Sequence, residues 1–117
     1  MPTVLVIDDN QATCDLMRLI CTHAGCEFVS SFNASVGLEL ARQINPNVIF
    51  IDLQLPGEMD GWQAIRHIRY DDNLRETPIV AMSAGNHRKT AAEAGSSDYM
   101  DKPFSSQQVV SFIQRYT

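Results

Sequence analysis

Two short, unbroken apolar runs in this chain end abruptly in acid. Val4-Leu5-Val6-Ile7 is closed by Asp8 and Asp9, and Val48-Ile49-Phe50-Ile51 is closed by Asp52. A strand that is hydrophobic at every position, rather than every second one, has to be covered on both faces. That pattern belongs to parallel sheets flanked by helices. If the two strands are neighbours, all three carboxylates meet at the carboxyl edge of the sheet, where open α/β sheets hold their ligands. Like charges so placed raise one another's pKa unless a cation intervenes. An all-oxygen cluster suits a hard divalent ion, which makes Mg²⁺ the first candidate and Mn²⁺ the second. A single acid at a strand end is ordinarily just solvated; three that converge call for another explanation.

The remaining sequence alternates strand and helix. Strands are expected over Thr3–Ile7, Glu27–Ser30, Val48–Leu53 and Ile79–Met82, with a weak edge strand over Asp98–Asp101. Asn10 and Asn33 are placed to cap helices, and Asp60 starts a third after the Pro56-Gly57 loop. The first helix is expected to turn Leu16, Leu19, Ile20 and Ala24 inward and to end at Gly25. The second carries Val36, Leu40, Ala41 and Ile44 and stops before Asn45-Pro46-Asn47, while the third carries Trp62, Ile65 and Ile68. Tyr70 to Thr77 reads as a polar connection. A short alanine-rich helix is expected around Thr90–Ala94, and a last one after Pro103 buries Val109, Phe112, Ile113 and Tyr116. Parallel strands joined by right-handed crossovers make an α/β fold, a three-layer α/β/α sandwich.

With 117 residues this is one domain, 1–117. A net charge of −5 argues against generic nucleic-acid binding, which needs a basic face. No apolar run reaches membrane-spanning length and no signal-peptide pattern opens the chain, so a soluble cytoplasmic protein is expected. Three cysteines without a CxxC fit a reducing compartment. Cys14 and Cys21 share a helix face and are expected to pack as small apolar residues. His23, His67 and His87 are too scattered to favour zinc.

Two further groups join the acids at the same sheet edge. The fourth strand ends in Ser83 and the fifth in Lys102-Pro103-Phe104, with Lys102 one of only two lysines. Carboxylates, a hydroxyl and an ammonium on four strand ends describe a phosphoryl-transfer site. The metal and Lys102 would neutralise phosphoryl oxygens while one carboxylate attacks phosphorus.

The motifs Ile7-Asp8-Asp9, Asp52-Leu53-Gln54-Leu55-Pro56, Asp60-Gly61, Ser83-Ala84, Ala94-Gly95, Asp98-Tyr99 and Lys102-Pro103-Phe104 occur in order along essentially the whole chain. In these the sequence resembles a response-regulator receiver domain of two-component signalling, of the chemotaxis-regulator type. The resemblance implies a flavodoxin-like, five-stranded parallel sheet of order 2-1-3-4-5. It implies that Asp52 is the phosphoacceptor, taking its phosphoryl group from a phosphohistidine of a histidine kinase or histidine phosphotransfer protein. Asp9 would bind Mg²⁺ directly, Asp8 directly or through water, and the Gln54 backbone carbonyl would add an oxygen beside Asp52. Ser83 and Lys102 would bind phosphoryl oxygens. Tyr99 matches the aromatic that moves between exposed and buried positions as Ser83 is drawn to the phosphate. Such a domain promotes its own phosphorylation and dephosphorylation and is not otherwise an enzyme.

The chain departs from the family at several points. Ser83 and Lys102 stand closer in sequence by roughly one turn of 3.6 residues, so the fourth helix is expected to be shortened, with the missing material between Gly85 and Lys89. The loop after Asp52 is one residue longer, through Gly57-Glu58. Gln54 and Gly85 stand where the family influences attack of water on the phosphoryl group, and a small Gly85 is expected to leave that path open. His87, Arg88 and Lys89 form a small basic cluster beside the pocket, read as a solvated helix start.

A small Mg-dependent phosphatase would want a second acid where Gln54 stands, and a flavin binder would not place Asp8 and Asp9 against a phosphate. The sequence stops one helix after Lys102, so no DNA-binding or enzymatic output domain is expected within it. The expectation is therefore a receiver, stand-alone or excised from a larger regulator. It would act by contact with an unknown downstream protein, or as a relay intermediate to a histidine phosphotransfer protein. No direct contact with nucleic acid or membrane is expected.

Overall fold

The computed structural model describes residues 1–117, and its elements alternate strictly. They are β1 (Thr3–Ile7), α1 (Gln11–His23), β2 (Glu27–Ser31), α2 (Ala34–Ile44), β3 (Val48–Asp52), α3 (Gly61–Tyr70), β4 (Ile79–Ser83), α4 (Arg88–Ala94), β5 (Asp98–Asp101) and α5 (Ser106–Tyr116). The sheet order is β2-β1-β3-β4-β5 and every pairing is parallel. No helix is long and apolar enough to cross a membrane.

The apolar runs behave as their composition requires. Alternate residues of β1 and β3 enter opposite cores: Leu5, Ile7, Ile49 and Ile51 pack under α2, α3 and α4. Val4, Val6, Val48 and Phe50 pack under α1 and α5. Helix starts are set by side chains that accept backbone N–H groups. Asn10 accepts from Thr13 and Asn33 from Val36, while Asp60 and Ser105 form reciprocal capping boxes with Gln63 and Gln108. The left-handed backbone at Gly95 (φ 116°) ends α4 after two turns, and that helix has the shortness expected from the spacing.

Three expectations are corrected. α1 turns Cys14, Met17, Ile20 and Cys21 inward, whereas Leu16 and Leu19 are exposed. The predicted stripe was therefore rotated about one residue. Leu16 and Leu19 instead line an open groove of about 610 Å³ shared with Val110 and Ile113 of α5. On α2 the inward face is Ala34, Gly37, Leu38 and Ala41, and Val36 is exposed. A Cβ on Gly37 would come within 2.5 Å of the Ile7 side chain, so this helix lies close on β1 because that position is bare. Within the polar connection after α3, Leu74 is fully buried and anchors the segment to the core. The two inward cysteines, by contrast, pack as small apolar residues.

Candidate functional site

The parallel register brings the strand ends together. Asp52 pairs with Met82, so Ser83 lies one residue beyond it on β4, and Ser83 pairs with Asp101, immediately before Lys102. Asp8, Asp9 and Asp52 each present a carboxylate oxygen, all within 4.8 Å of one another. Asp8 is fully buried, Asp52 nearly so, and Asp9 faces solvent.

Lys102 joins two of these acids. Its Nζ donates to Asp8 Oδ2 at 2.6 Å and to Asp52 Oδ2 at 3.0 Å. The remaining oxygens are held by backbone amides: Asn10 N–H donates to Asp8 Oδ1 at 2.9 Å, and Gln54 N–H donates to Asp52 Oδ1 at 2.9 Å. Both carboxylates are therefore fixed in direction. The loops that fix them follow from two constraints, the Asn10 cap on one side and Gly61 on the other. A Cβ on Gly61 would stand 2.2 Å from the Asp52 carbonyl oxygen and 2.6 Å from Leu53 Cα. The Asp60-Gly61 pair thus lets α3 begin directly against the end of β3.

Burial pushes the Asp8 carboxyl above its usual range, and the bonds from Lys102 and Asn10 only partly offset this. For Lys102 burial pulls downward, but its bonds to Asp8 and Asp52 and the charges of both acids outweigh it, so the ammonium is held more tightly than in a free lysine. Three carboxylates beside one ammonium leave the cluster with an excess of two negative charges when all are ionised. Hard oxygen donors with that excess fit a divalent cation. The acids and Lys102 are thus brought together as the sequence reading expects.

Ser83 is buried, and its Oγ accepts the Gly85 N–H at 3.1 Å. That leaves the hydroxyl proton free to donate elsewhere. Gln54 has an exposed side chain. Tyr99 is buried, 7% exposed, with its hydroxyl donating to the Gly85 carbonyl and accepting the His87 N–H. The space beside Gly85, expected to be open, is filled: a Cβ there would meet His87 Nε2 at 2.7 Å. Sequence spacing held no sign of this, nor of Cys14 Sγ donating to the Asp8 carbonyl at 3.3 Å.

Comparison with known proteins agrees with this fold. Residues 4–114 match the sequence model of the family described as response regulator receiver domain. The polar-differentiation response regulator DivK of Brucella anthropi is 29% identical over 97% of this chain and 94% of its own length. The sensor protein GacS of Pseudomonas syringae is 31% identical over 99% of the chain, which spans 13% of that protein. Among solved structures, one is the receiver domain of the sensor histidine kinase PA1611 from Pseudomonas aeruginosa, with a magnesium ion coordinated in its active site cleft. It superposes with a TM-score of 0.91 at 26% identity, covering 98% of this chain and 96% of that one.

Proposed function

The chain belongs to the response regulator receiver domain family of two-component signalling, and from that premise we propose that Asp52 accepts a phosphoryl group from a phosphohistidine of a partner kinase. The observation that carries this reading is Lys102 bonded at once to Asp8 and Asp52, beside Asp9 and a buried Ser83 hydroxyl. An Asp52 oxygen attacks phosphorus, the P–N bond to the histidine breaks, and the imidazole leaves with the electron pair. Lys102 can turn from the carboxylates to a phosphoryl oxygen without leaving the pocket, and Ser83 donates its free proton to another. A divalent cation held by Asp8, Asp9, Asp52 and the Gln54 carbonyl, Mg²⁺ or in its place Mn²⁺, would supply the charge that lets a phosphoryl group approach a carboxylate.

The new group adds nearly two negative charges and three acceptors. Ser83, Tyr99 and Lys102 respond to it and change the surface that partners read. Moving a domain from about 1% to about 99% active takes about 5.5 kcal/mol of differential interaction. Two or three charge-assisted hydrogen bonds of about 1.5–3 kcal/mol each are sufficient. The partners are a histidine kinase or histidine phosphotransfer protein upstream and a protein target downstream. The protein acts on its own aspartate and turns over no separate substrate. Likeness to a segment of a sensor protein favours a second use of the same chemistry, relay of phosphate to a histidine phosphotransfer protein. Free, buried cysteines fit a reducing compartment, and the proposed location is the cytoplasm.

The test is incorporation of labelled phosphate from acetyl phosphate. Native protein is expected to take up label only with Mg²⁺ or Mn²⁺ present, and Asp52→Asn to take up none while keeping its fold by circular dichroism. Normal labelling of Asp52→Asn, or labelling undiminished by a chelator, would refute the assignment.

A further inference from the structure

Asp8 and Asp9 share one peptide unit, and their carboxylates are held in different ways. Asp8 is tethered at both side-chain oxygens, by the Asn10 N–H at 2.9 Å and by Lys102 Nζ at 2.6 Å. Asp9 faces solvent without such a tether, yet one of its oxygens lies within 4.8 Å of oxygens of Asp8 and Asp52. The direction of the Asp9 side chain therefore depends on its backbone. A peptide unit is planar, so whatever fixes the Asp8 carbonyl also fixes where the Asp9 Cα stands.

The Cys14 thiol does this. From the inward face of α1, its Sγ donates to the Asp8 carbonyl oxygen at 3.3 Å. No backbone N–H bonds that oxygen. Asp8 is fully buried, and a buried carbonyl left without a donor is costly. The Asp8 N–H in turn donates to the Ser31 carbonyl at 3.0 Å, so the chain is gripped on both sides of Asp8. Burial, with Asp8 and Asp15 nearby, pushes the Cys14 thiol up to about 11, and the sulfur keeps the proton it donates at neutral pH. Cys21, as deeply buried on the same helix, packs in the same core without such a bond.

We propose that Cys14 is a positioning residue of the cation site: its thiol holds the Asp8–Asp9 peptide so that Asp9 presents its carboxylate beside those of Asp8 and Asp52. The inference rests on the reading of these acids as the divalent-cation site that serves phosphorylation of Asp52, and it deepens that reading. Groups that stand one step behind a metal ligand set how well the ligand is aimed, and with it the metal affinity. A thiol is a weak donor, so its share is smaller than that of a charged partner.

The experiment titrates Mg²⁺ alone into full-length, unphosphorylated protein and follows binding by calorimetry. Cys14→Ala is smaller than the native residue and Cys14→Val larger, and both lack the donor. Each is expected to bind Mg²⁺ roughly three- to tenfold more weakly than native protein. Cys14→Ser keeps a donor and is expected to bind more tightly than either. Cys21→Ala is expected to lose stability in urea while binding Mg²⁺ as native protein does. In labelling from acetyl phosphate, Cys14→Ala and Cys14→Val should need correspondingly more Mg²⁺ for half-maximal rate and reach the native rate at saturation. Circular dichroism and urea midpoints identify any variant that has lost its fold; if Cys14→Ala is one, Cys14→Ser against Cys14→Val decides. Native affinity in folded Cys14→Ala and Cys14→Val overturns the proposal. So does Cys14→Ser binding as weakly as they do, or Cys21→Ala losing as much affinity, or native protein that binds no Mg²⁺. Native protein that binds Mg²⁺ but takes up no label would instead overturn the phosphoacceptor reading, while the calorimetric comparison still decides the role of Cys14.

Discussion

Replacing Lys102 with Met removes the only ammonium bonded to Asp8 and Asp52 while keeping most of the side-chain volume. The two carboxylates it bridges are then left facing each other, with oxygens no more than 4.8 Å apart. At an effective dielectric of about 20, like unit charges at that distance repel by about 3.5 kcal/mol. The Lys102 side chain is only 19% exposed and that of Asp8 not at all, so screening by solvent is limited. Breaking a buried pair by removing one partner typically costs about 3–5 kcal/mol, and rearrangement of the more exposed Asp52 lowers the expectation to about 2–4 kcal/mol. Against a total stability of about 5–15 kcal/mol this is a large loss, and urea unfolding at pH 7.5 without divalent cations measures it.

The pH dependence has a determined sign. In native protein the raised Lys102 pKa means its contribution is complete below the ordinary lysine value and is lost as pH rises through the raised one. The raised Asp8 pKa works oppositely: the folded state gains as pH falls through it. The deficit of Lys102→Met should therefore shrink as pH falls toward the carboxylate range and Asp8 takes up a proton. It should also shrink in strongly alkaline solution, where native Lys102 loses its charge. Asp8→Asn on the Lys102→Met background should recover about 2 kcal/mol by ending the repulsion. A Lys102→Met cost under about 0.5 kcal/mol, or no recovery in the double variant, would refute the electrostatic account.

Gly61→Ala places a methyl group against the Asp52 carbonyl and Leu53 Cα, both backbone and unable to yield as a side chain would. Overpacking of that kind is expected to cost about 1–3 kcal/mol in urea unfolding and to slow labelling from acetyl phosphate together with it; a stable, normally labelled variant would show that α3 can shift freely. Burial, helped at Cys14 by nearby Asp8 and Asp15, pushes the Cys14 thiol up to about 11, and burial pushes Cys21 up to about 12. Iodoacetamide at pH 8 should thus label them at least about 100-fold more slowly in native protein than in urea, since each unit of pKa is a tenfold loss of thiolate; equal rates would contradict their packing.

The features legible in the sequence are those with a period or a chemical contrast. Apolar strands ending in Asp8, Asp9 and Asp52 could be read directly, because full burial of a strand requires every position to be apolar and a sheet edge is where that requirement ends. Caps at Asn10, Asn33 and Asp60 could be read too, since each supplies an acceptor to a helix end that would otherwise lack one. The face of α1 could not. Leucines at 16 and 19 and the smaller set Cys14, Met17 and Cys21 both recur at helical spacing, so periodicity alone offers two stripes. The turn from β1 decides between them: the Asn10 amide bonds Asp8 Oδ1 and the Cys14 thiol bonds the Asp8 carbonyl, so the helix starts with Cys14 toward the sheet. Leu74 was hidden for the opposite reason, being one apolar residue with no partner at any period.

The same distinction explains His87. Counting along the chain assigns the space beside Gly85 to residue 85 and finds it empty, which is valid only where backbone geometry ties side-chain direction to position. Between Ser83 and Arg88 no strand or helix repeats. Direction is set there by whichever contacts the folded surroundings provide, here the Trp62 ring and the Tyr99 hydroxyl.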